Sequence, residues 1–299
     1  MQLPHLAPSR QIGPYLVVAR LDQTGYGAAA VPEHRFIART PDGERTVVVS
    51  TPLDSTDPGR FRTEAQAARF LIGPWAAPVT EYAEPGAAVW CARPYVPALP
   101  LPTALAVNGG PLPDETLRVL GRCLAETLAA AHAAGVTHAG VSPAAVLLAG
   151  DGPRLTCFGA ARTAAEDGIA RSGLPGLDPG SLAPEQAAGG RPRPPGDLYA
   201  LGAVLAYAAT GHTVPDKDEL PLLLRPLVTA CLSRDPAARP RATDVIDALA
   251  PPAAAGPVAT VLEPGAGAGA LRLPGRVVAA IARQSAEILA ADVRPSPGA

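Results

Sequence analysis

The sequence predicts an α+β fold in two lobes, a small antiparallel β-sheet lobe that carries one helix and a larger, mainly helical lobe. Residues 15–50 alternate short apolar runs with turn signals, the pattern of an antiparallel meander. After Gly110 apolar residues recur at helical spacing instead. With 299 residues, 47% of them hydrophobic, the chain is long enough to bury a substantial core.

In the small lobe, the runs YLVVARL, HRFIAR and TVVV predict three consecutive strands. The tripeptide PDG at 41–43 is a favourable hairpin turn between the second and the third. The Ala-rich stretch 61–71 predicts the single helix of this lobe, and residues 79–96 predict two further strands.

In the large lobe, a leucine-rich stripe predicts a long helix that begins at an Asp114 N-cap and ends at a Gly135 C-cap. AVLLA and PRLTC predict two short strands joined by a GDG turn. Asp197 is expected to open an apolar helix over 198–209, and another helix is expected near 220–234. The segment DPAARPRATDVIDALA predicts a turn that leads into a last domain helix.

The two ends of the chain differ in composition from the middle. Residues 1–11 are expected to form a tail, and the Pro-, Ala- and Gly-rich stretch 251–272 a flexible linker. Residues 273–291 predict an amphipathic helix that docks on its own domain, with partner binding as the alternative. Residues 292–299 are expected to be disordered.

Composition excludes several classes of function. The net charge of −2 does not favour nucleic acid or an anionic membrane as a partner. Four cysteines without CxxC spacing predict neither a metal site nor a disulfide framework. The N-terminus lacks an apolar signal core, and the apolar run 198–210 is too short to span a bilayer. The protein is therefore expected to be soluble and cytoplasmic.

Several separated motifs then occur in a familiar order. His138 heads a loop of the pattern H-x-x-x-x-P, Phe158-Gly159 follow after two strands, and Ala183-Pro184-Glu185 come next. Asp197 and Gly202 match D-x-x-x-x-G, and Arg239 lies in DPAARP. From 12 to 250 the chain resembles a bacterial serine/threonine protein kinase of actinobacterial type. The resemblance implies a small lobe over about 12–95 and a large lobe over about 96–250.

The residues that carry the chemistry of that family are replaced. The catalytic Asp and Lys of the loop align with Gly140 and Ser142, and the two metal ligands with Ala145 and Cys157. The strand Lys that pairs with phosphate aligns with Val49 or Ser50, and the only Lys of the chain is Lys217. In the glycine-rich loop Asp22 and Thr24 replace two glycines, and Gly27 alone remains.

These departures indicate a degenerate member of the family, a pseudokinase that acts as a protein-binding scaffold or an allosteric regulator in signalling. Residual or atypical activity, as a serine/threonine protein kinase or another ATP-dependent transferase, is the alternative. No metal or cofactor is expected, although weak metal-independent ATP binding stays open. The partner is expected to be a protein, with an active kinase as one candidate. The positions retained as structural anchors are Glu64, His138, Phe158, Gly159, Glu185, Asp197, Gly202 and Arg239.

The resemblance also yields specific expectations about contacts. Glu185 should pair with Arg239 in the interior. Arg93 aligns with the position at the back of the adenine pocket, and one hypothesis is that it pairs with Glu64 inside the former nucleotide cleft. The alternatives are an outward-facing Arg93 and a solvated or locally paired Glu64. The vestigial cleft is expected to comprise Gly27, Arg93, Val96 and Leu147. Thr163 and Ser172 are candidate phosphate acceptors, with plain loop hydroxyls as the alternative.

Overall fold

The computed structural model describes residues 11–22, 29–251 and 271–291. Nearly all of the predicted N-terminal tail, most of the predicted linker, the predicted C-terminal tail, and Thr24 and Gly27 lie outside these residues. Among the described helices, none is long and apolar enough to cross a membrane.

A curled antiparallel sheet forms the small lobe, in the order β1-β2-β3-β4-β6-β5. The predicted meander is confirmed, and register pairs Ile37 with Val48 between its second and third strands. The strands are β1 (Gln11–Ile12), β2 (Tyr15–Arg20), β3 (Glu33–Arg39), β4 (Thr46–Pro52), β5 (Glu81–Tyr82) and β6 (Cys91–Pro94).

The helix of the small lobe, α1, spans Pro58–Ala67 and continues as a 3₁₀ turn to Phe70. It begins three residues before the predicted start, because Asp57 and Pro58 provide an N-cap. The Asp57 carboxylate accepts the Arg60 backbone N–H at 2.7 Å, and proline is favoured at the first helical position.

The large lobe contains a three-stranded sheet, in the order β7-β8-β9, and most of the helices. Its strands are β7 (Ala98–Pro100), β8 (Val146–Ala149) and β9 (Gly152–Leu155). The helices of the large lobe and of the C-terminal segment are α2 (Leu101–Asn108), α3 (Asp114–Ala133), α4 (Ala160–Ala164), α5 (Pro184–Ala187), α6 (Pro194–Thr210), α7 (Arg225–Cys231), α8 (Ala242–Ala248) and α9 (Gly275–Ala290).

Helices α3 and α6 form the centre of the main core. The leucine stripe of α3 is buried as its spacing predicted, with Leu117 and Leu128 among its members. The predicted cap was wrong by one residue: Pro113 is the N-cap, and Asp114 is the first helical residue. Gly135 lies just past the helix end in a left-handed conformation (φ +73°), as expected for a glycine at this position.

Two other helix boundaries also differ from expectation. Helix α6 begins at Pro194 rather than after Asp197, because Pro194 and Pro195 supply a first turn without backbone donors. This places Asp197 inside the first turn, where its carboxylate is buried. The helix expected over 220–234 is confined to Arg225–Cys231, since Pro221 and Pro226 restrict its start.

Candidate functional site

The loop between α3 and β8 is held by one buried carboxylate. Asp197 accepts the backbone N–H groups of His138 and Ala139, each at 2.8 Å, and lies 2.9 Å from His132 Nε2. Ala139 has φ +55°, a conformation that is strained for a residue with a side chain. The helix-borne Asp197 therefore stabilises a strained backbone at the head of the loop.

His138 is fully buried and packs edge-on against Phe158, with ring centroids 5.6 Å apart. Neither of its ring nitrogens has a hydrogen-bond partner among the described residues. Burial lowers the pKa of His138 to about 4, despite the opposing charge of Asp197. The ring is thus neutral near pH 7 and contributes packing rather than proton transfer.

Three further loop positions carry small side chains. Ser142 caps a short 3₁₀ turn by accepting the Ala145 backbone N–H at 3.3 Å, and Ala145 is fully buried. A Cβ added to Gly140 would lie 1.9 Å from the Cys157 carbonyl oxygen. The backbone of the following segment therefore occupies the space into which a side chain at 140 would project.

Cys157 follows β9 and has φ +60°, a second strained conformation next to Gly140. Its Sγ lies 3.7 Å from Arg35 Nη1 and 3.9 Å from Glu33 Oε1. Burial, and then the negative charge of Glu33, raise the pKa of the Cys157 thiol to about 11. A neutral buried thiol is neither a good nucleophile nor a good ligand for a hard cation such as Mg²⁺.

A buried ionic network occupies the cleft beside Cys157. Arg35 binds Asp22 through Nε, at 2.8 Å from Oδ2, and through Nη2, while its Nη1 donates to Thr156 Oγ1 at 3.1 Å. Arg93 Nη1 donates to Glu33 Oε1 at 3.3 Å. Two guanidinium groups and two carboxylates balance in charge, so the network needs no external ion for neutrality.

The expected pairing of Arg93 with Glu64 was wrong. Glu64 binds Arg162 of α4 instead, with both carboxylate oxygens 2.9 Å from Nε. Arg93 is buried as expected, but Glu33 reaches it across the intervening strand β4. The reason is local geometry, because α1 packs against α4 and brings Glu64 next to Arg162.

Side-chain alternation in β4 distinguishes Val49 from Ser50. Val49 packs with Phe36 on the face away from the network, whereas the Ser50 hydroxyl donates to Glu33 Oε1 at 2.9 Å. Ser50 is therefore the residue of β4 that faces the network, on the same side of the strand as Val48.

The end of the cleft near the lobe connection is apolar. Leu147 of β8 packs in one cluster with Val48, and Val96 borders that cluster. The same cluster contains Ile288 of the C-terminal helix α9. Of the predicted cleft, Val96 and Leu147 thus lie together at this end, Arg93 lies in the network, and Gly27 is outside the described residues.

The space around the network is small. A cavity of about 20 Å³, lined by Phe61, Cys91, Arg93, Cys157 and other residues, holds about one water molecule. A larger groove of about 310 Å³ borders the network at Asp22. Its lining includes Val31 from the small lobe, Leu105 and Ala106 of α2, and Tyr207 of α6.

The expected anchors of the large lobe are present. Arg239 donates from Nη1 and Nη2 to the two Glu185 oxygens, at 2.7 and 2.8 Å, and lies over the Tyr199 ring. The Arg239 side chain is fully buried, whereas Glu185 keeps 33% exposure, so the ion pair is buried on one side only. A Cβ on Gly202 would approach Cys231 Cβ to 2.5 Å, so only glycine permits this contact between α6 and α7.

The segment between α4 and α5 is organised by Arg171, which is fully buried. Its guanidinium donates to the backbone carbonyls of Ala161, Ala165, Gln186 and Gly190 and to the Asp167 carboxylate. Such a group holds distant parts of the segment together. Of the two candidate phosphate acceptors, Thr163 is buried and Ser172 is exposed.

Sequence reasoning missed the residues that fill the cleft. Glu33 and Arg35 stand at alternate positions of β3, on the face that also carries Ile37. Two residues of opposite charge at alternate positions, on a strand face that also carries a buried isoleucine, are a signal of an internal pair. Arg171 and Arg162 carried no comparable signal, because arginine is frequent throughout this chain. Within the described part of the chain, no cluster of three potential metal ligands occurs.

A curled antiparallel sheet and a helical lobe, with the anchors described, are consistent with a protein kinase-like fold. The homologues of the chain are bacterial serine/threonine protein kinases. Serine/threonine-protein kinase AfsK of Streptomyces coelicolor is 35% identical over 81% of this chain and 32% of its own length. The probable serine/threonine-protein kinase PkwA of Thermomonospora curvata is 35% identical over 80% of this chain and 34% of its own.

PknD of Mycobacterium tuberculosis, a serine/threonine-protein kinase, is 29% identical over 77% of this chain and 34% of its own length. The chain thus spans about a third of the length of the curated relatives it matches. No protein-family model matches the chain.

Proposed function

We propose that the chain is a kinase-like module that transfers no phosphoryl group and acts in signalling through protein contacts, as a scaffold or an allosteric regulator. One observation carries the proposal. The positions that align with the catalytic base and the metal ligands hold Gly140, Ala145 and Cys157, and the buried pairs of Arg35 and Arg93 occupy the space beside them.

Phosphoryl transfer depends on positioning and on neutralising the charge of the transferred group. Mg²⁺ requires oxygen ligands, and the alanine methyl and the neutral thiol at these positions supply none. The two guanidinium groups are already bound by Asp22 and Glu33. A polyphosphate would have to displace these carboxylates, and each displaced carboxylate would remain as an unpaired charge in the interior.

The second candidate is residual or atypical activity, as a protein kinase or another ATP-dependent transferase. The names of the homologues favour it, because each is described as a serine/threonine-protein kinase. Activity would require the residues of the network to separate and a metal to bind through ligands other than those of the family. The two candidates therefore differ in whether nucleotide and metal bind together.

The groove of about 310 Å³ is the surface we propose for protein contacts. Its prolines and Tyr207 offer apolar area for an extended segment of a partner, and both lobes contribute to its walls. Ser172, exposed on the segment between α4 and α5, is the acceptor that we propose for an active kinase acting in trans.

Thermal unfolding with ATP alone, and with ATP plus Mg²⁺ or Mn²⁺, tests the catalytic part of the proposal. A ligand at a hundredfold excess over its Kd stabilises the native state by about 2.7 kcal/mol. We expect no shift under any of these conditions. A metal-dependent shift, followed by transfer of labelled phosphate, would establish the second candidate, and a shift without metal would indicate a nucleotide-sensing module.

Substitution of Ala106 by arginine tests the contact surface. Ala106 is exposed on the wall of the groove, so Ala106→Arg fills the groove without removing a core side chain. The matched control is Ala67→Arg, on the exposed face of α1. We expect cross-linking to partner proteins in extracts of the native host to be lost in Ala106→Arg and retained in the control. Equal cross-linking by both variants would rule out the groove.

A further inference from the structure

The C-terminal helix α9 contacts both lobes. At its beginning Val277 is fully buried, and with Ile281 it packs into the main core of the large lobe. At its end Ile288, which is 3% exposed, packs into the cluster formed by Val48, Leu147 and their neighbours. Helix α9 therefore contacts both the core of the large lobe and the face of the small-lobe sheet that carries Val48.

Polar contacts hold the helix segment at both ends. Thr116 Oγ1 of α3 donates to the Arg272 carbonyl at 2.6 Å, just before the helix begins. At the other end Arg39 of β3 donates from Nη1 to the Ala291 carbonyl at 3.2 Å and from Nη2 to the Ile288 carbonyl. A guanidinium is favourable here, because the last carbonyls of a helix lack partners and carry partial negative charge.

The position of Ile288 matters because of what surrounds it. Its cluster contains Leu147 and is bordered by Val96, two residues that the sequence assigned to the vestigial cleft. The ionic network fills one end of the cleft, and Ile288 is buried in the apolar cluster at the end near the lobe connection. Both ends are thus occupied by side chains of the chain itself.

We infer that α9 is a clasp within the chain, which ties the two lobes together and covers the apolar end of the cleft. The small-lobe attachment rests on Ile288 and Arg39, and the large-lobe attachment on Val277 and Ile281. Anything that enters the apolar end must first displace Ile288. The clasp is independent of catalytic inactivity, since it would cover the cleft of an active or an inactive module alike.

The helix supplies its own matched pair of variants. Ile288 is 3% exposed and its neighbour Leu289 is 72% exposed, so Ile288→Asp and Leu289→Asp place the same charge at buried and exposed positions of one turn. Hydrogen exchange of the full-length chain is measured for both, without nucleotide. In Ile288→Asp we expect exchange about 10-fold or more faster at 284–290 and at the lobe connection 95–98.

Leu289→Asp should exchange like the unmodified chain in both segments. Arg39→Met is a second test of the small-lobe attachment, because it removes the guanidinium from the end of α9 without placing a charge in the apolar cluster. It should accelerate exchange at 284–290 in the same direction. Unchanged exchange at 95–98 in Ile288→Asp, or equal effects of Ile288→Asp and Leu289→Asp, would overturn the clasp and leave α9 attached to the large lobe alone.

Discussion

The buried pair of Glu33 and Arg93 allows a quantitative test of the ionic network. The two side chains are 8% and 6% exposed, and Oε1 lies 3.3 Å from Nη1. At an effective dielectric constant of about 20, unit charges at this separation attract by roughly 5 kcal/mol. Removal from water offsets most of that attraction, so the pair adds little net stability although each partner depends strongly on the other.

Each single substitution should therefore lower the free energy of unfolding much more than the double substitution does. Glu33→Leu leaves Arg93 buried without its partner, and Arg93→Met leaves Glu33 in the same state. Each should lower the free energy of unfolding by about 3–5 kcal/mol. The double variant contains neither charge and should lose only about 0–2 kcal/mol, because the pair of Arg35 and Asp22 stays balanced.

Urea denaturation of the four proteins at pH 7 measures these free energies and their coupling. The exposed pair of Asp218 and Arg225 is the control, since Asp218 is 98% exposed and the coupling there should be negligible. If the double variant of the buried pair loses the sum of the two single losses, Glu33 and Arg93 act independently and the network does not exist as described.

Three further outcomes are expected. Burial lowers the pKa of His138 to about 4, so the unfolded chain takes up a proton first as the pH falls, and stability should drop by about 3 kcal/mol between pH 6.5 and 4. His138→Leu should remove this part of the pH dependence in urea titrations. Arg171→Met removes the guanidinium that binds carbonyls at both ends of the segment, including the buried Ala165 carbonyl, and should make 160–190 about 10-fold more sensitive to limited proteolysis. Glu185→Ala removes the carboxylate partner of the buried Arg239 and should cost about 1.5–3 kcal/mol, visible as a lower melting temperature.

For each of these three predictions, a specific result would contradict the reasoning. An unchanged pH profile in His138→Leu would mean that the ring binds protons equally in the folded and the unfolded chain, so that burial does not lower its pKa. Asp167→Asn is the control for Arg171, because this half-exposed carboxylate is only one of five acceptors. Equal proteolysis of Arg171→Met and Asp167→Asn would show that the carbonyl contacts do not hold the segment. A melting temperature of Glu185→Ala equal to that of the unmodified chain would show that solvent replaces the carboxylate.

The order of elements and the anchors of the large lobe were predictable from sequence. Patterns of apolar residues determine which face of a strand or helix is buried, and these patterns lie within short windows. The pair of Glu185 and Arg239 was predictable because each lies in a recognisable motif. Helix ends were less certain, since Asp197 and Asp114 are good cap residues that here follow prolines.

The contents of the cleft were not predictable in the same way. Glu33 and Arg93 are 60 residues apart, and only the register of three strands brings them together. Glu64 was the expected partner because a motif singled it out, whereas Glu33 lies in no motif. Ile288 lies in helix α9, which follows the predicted linker. The apolar spacing of this helix predicts that one of its faces is buried, but it does not specify which surface of the protein that face contacts.

The contact between Gly140 and the Cys157 carbonyl also constrains how the chain can change over time. A Cβ at 140 would lie 1.9 Å from that oxygen, so no residue with a side chain fits there while the backbone keeps its present path. A carboxylate at this position would require the segment at 157 to shift as well. The residue at 140 and the backbone path at 157 therefore depend on each other and can change only together.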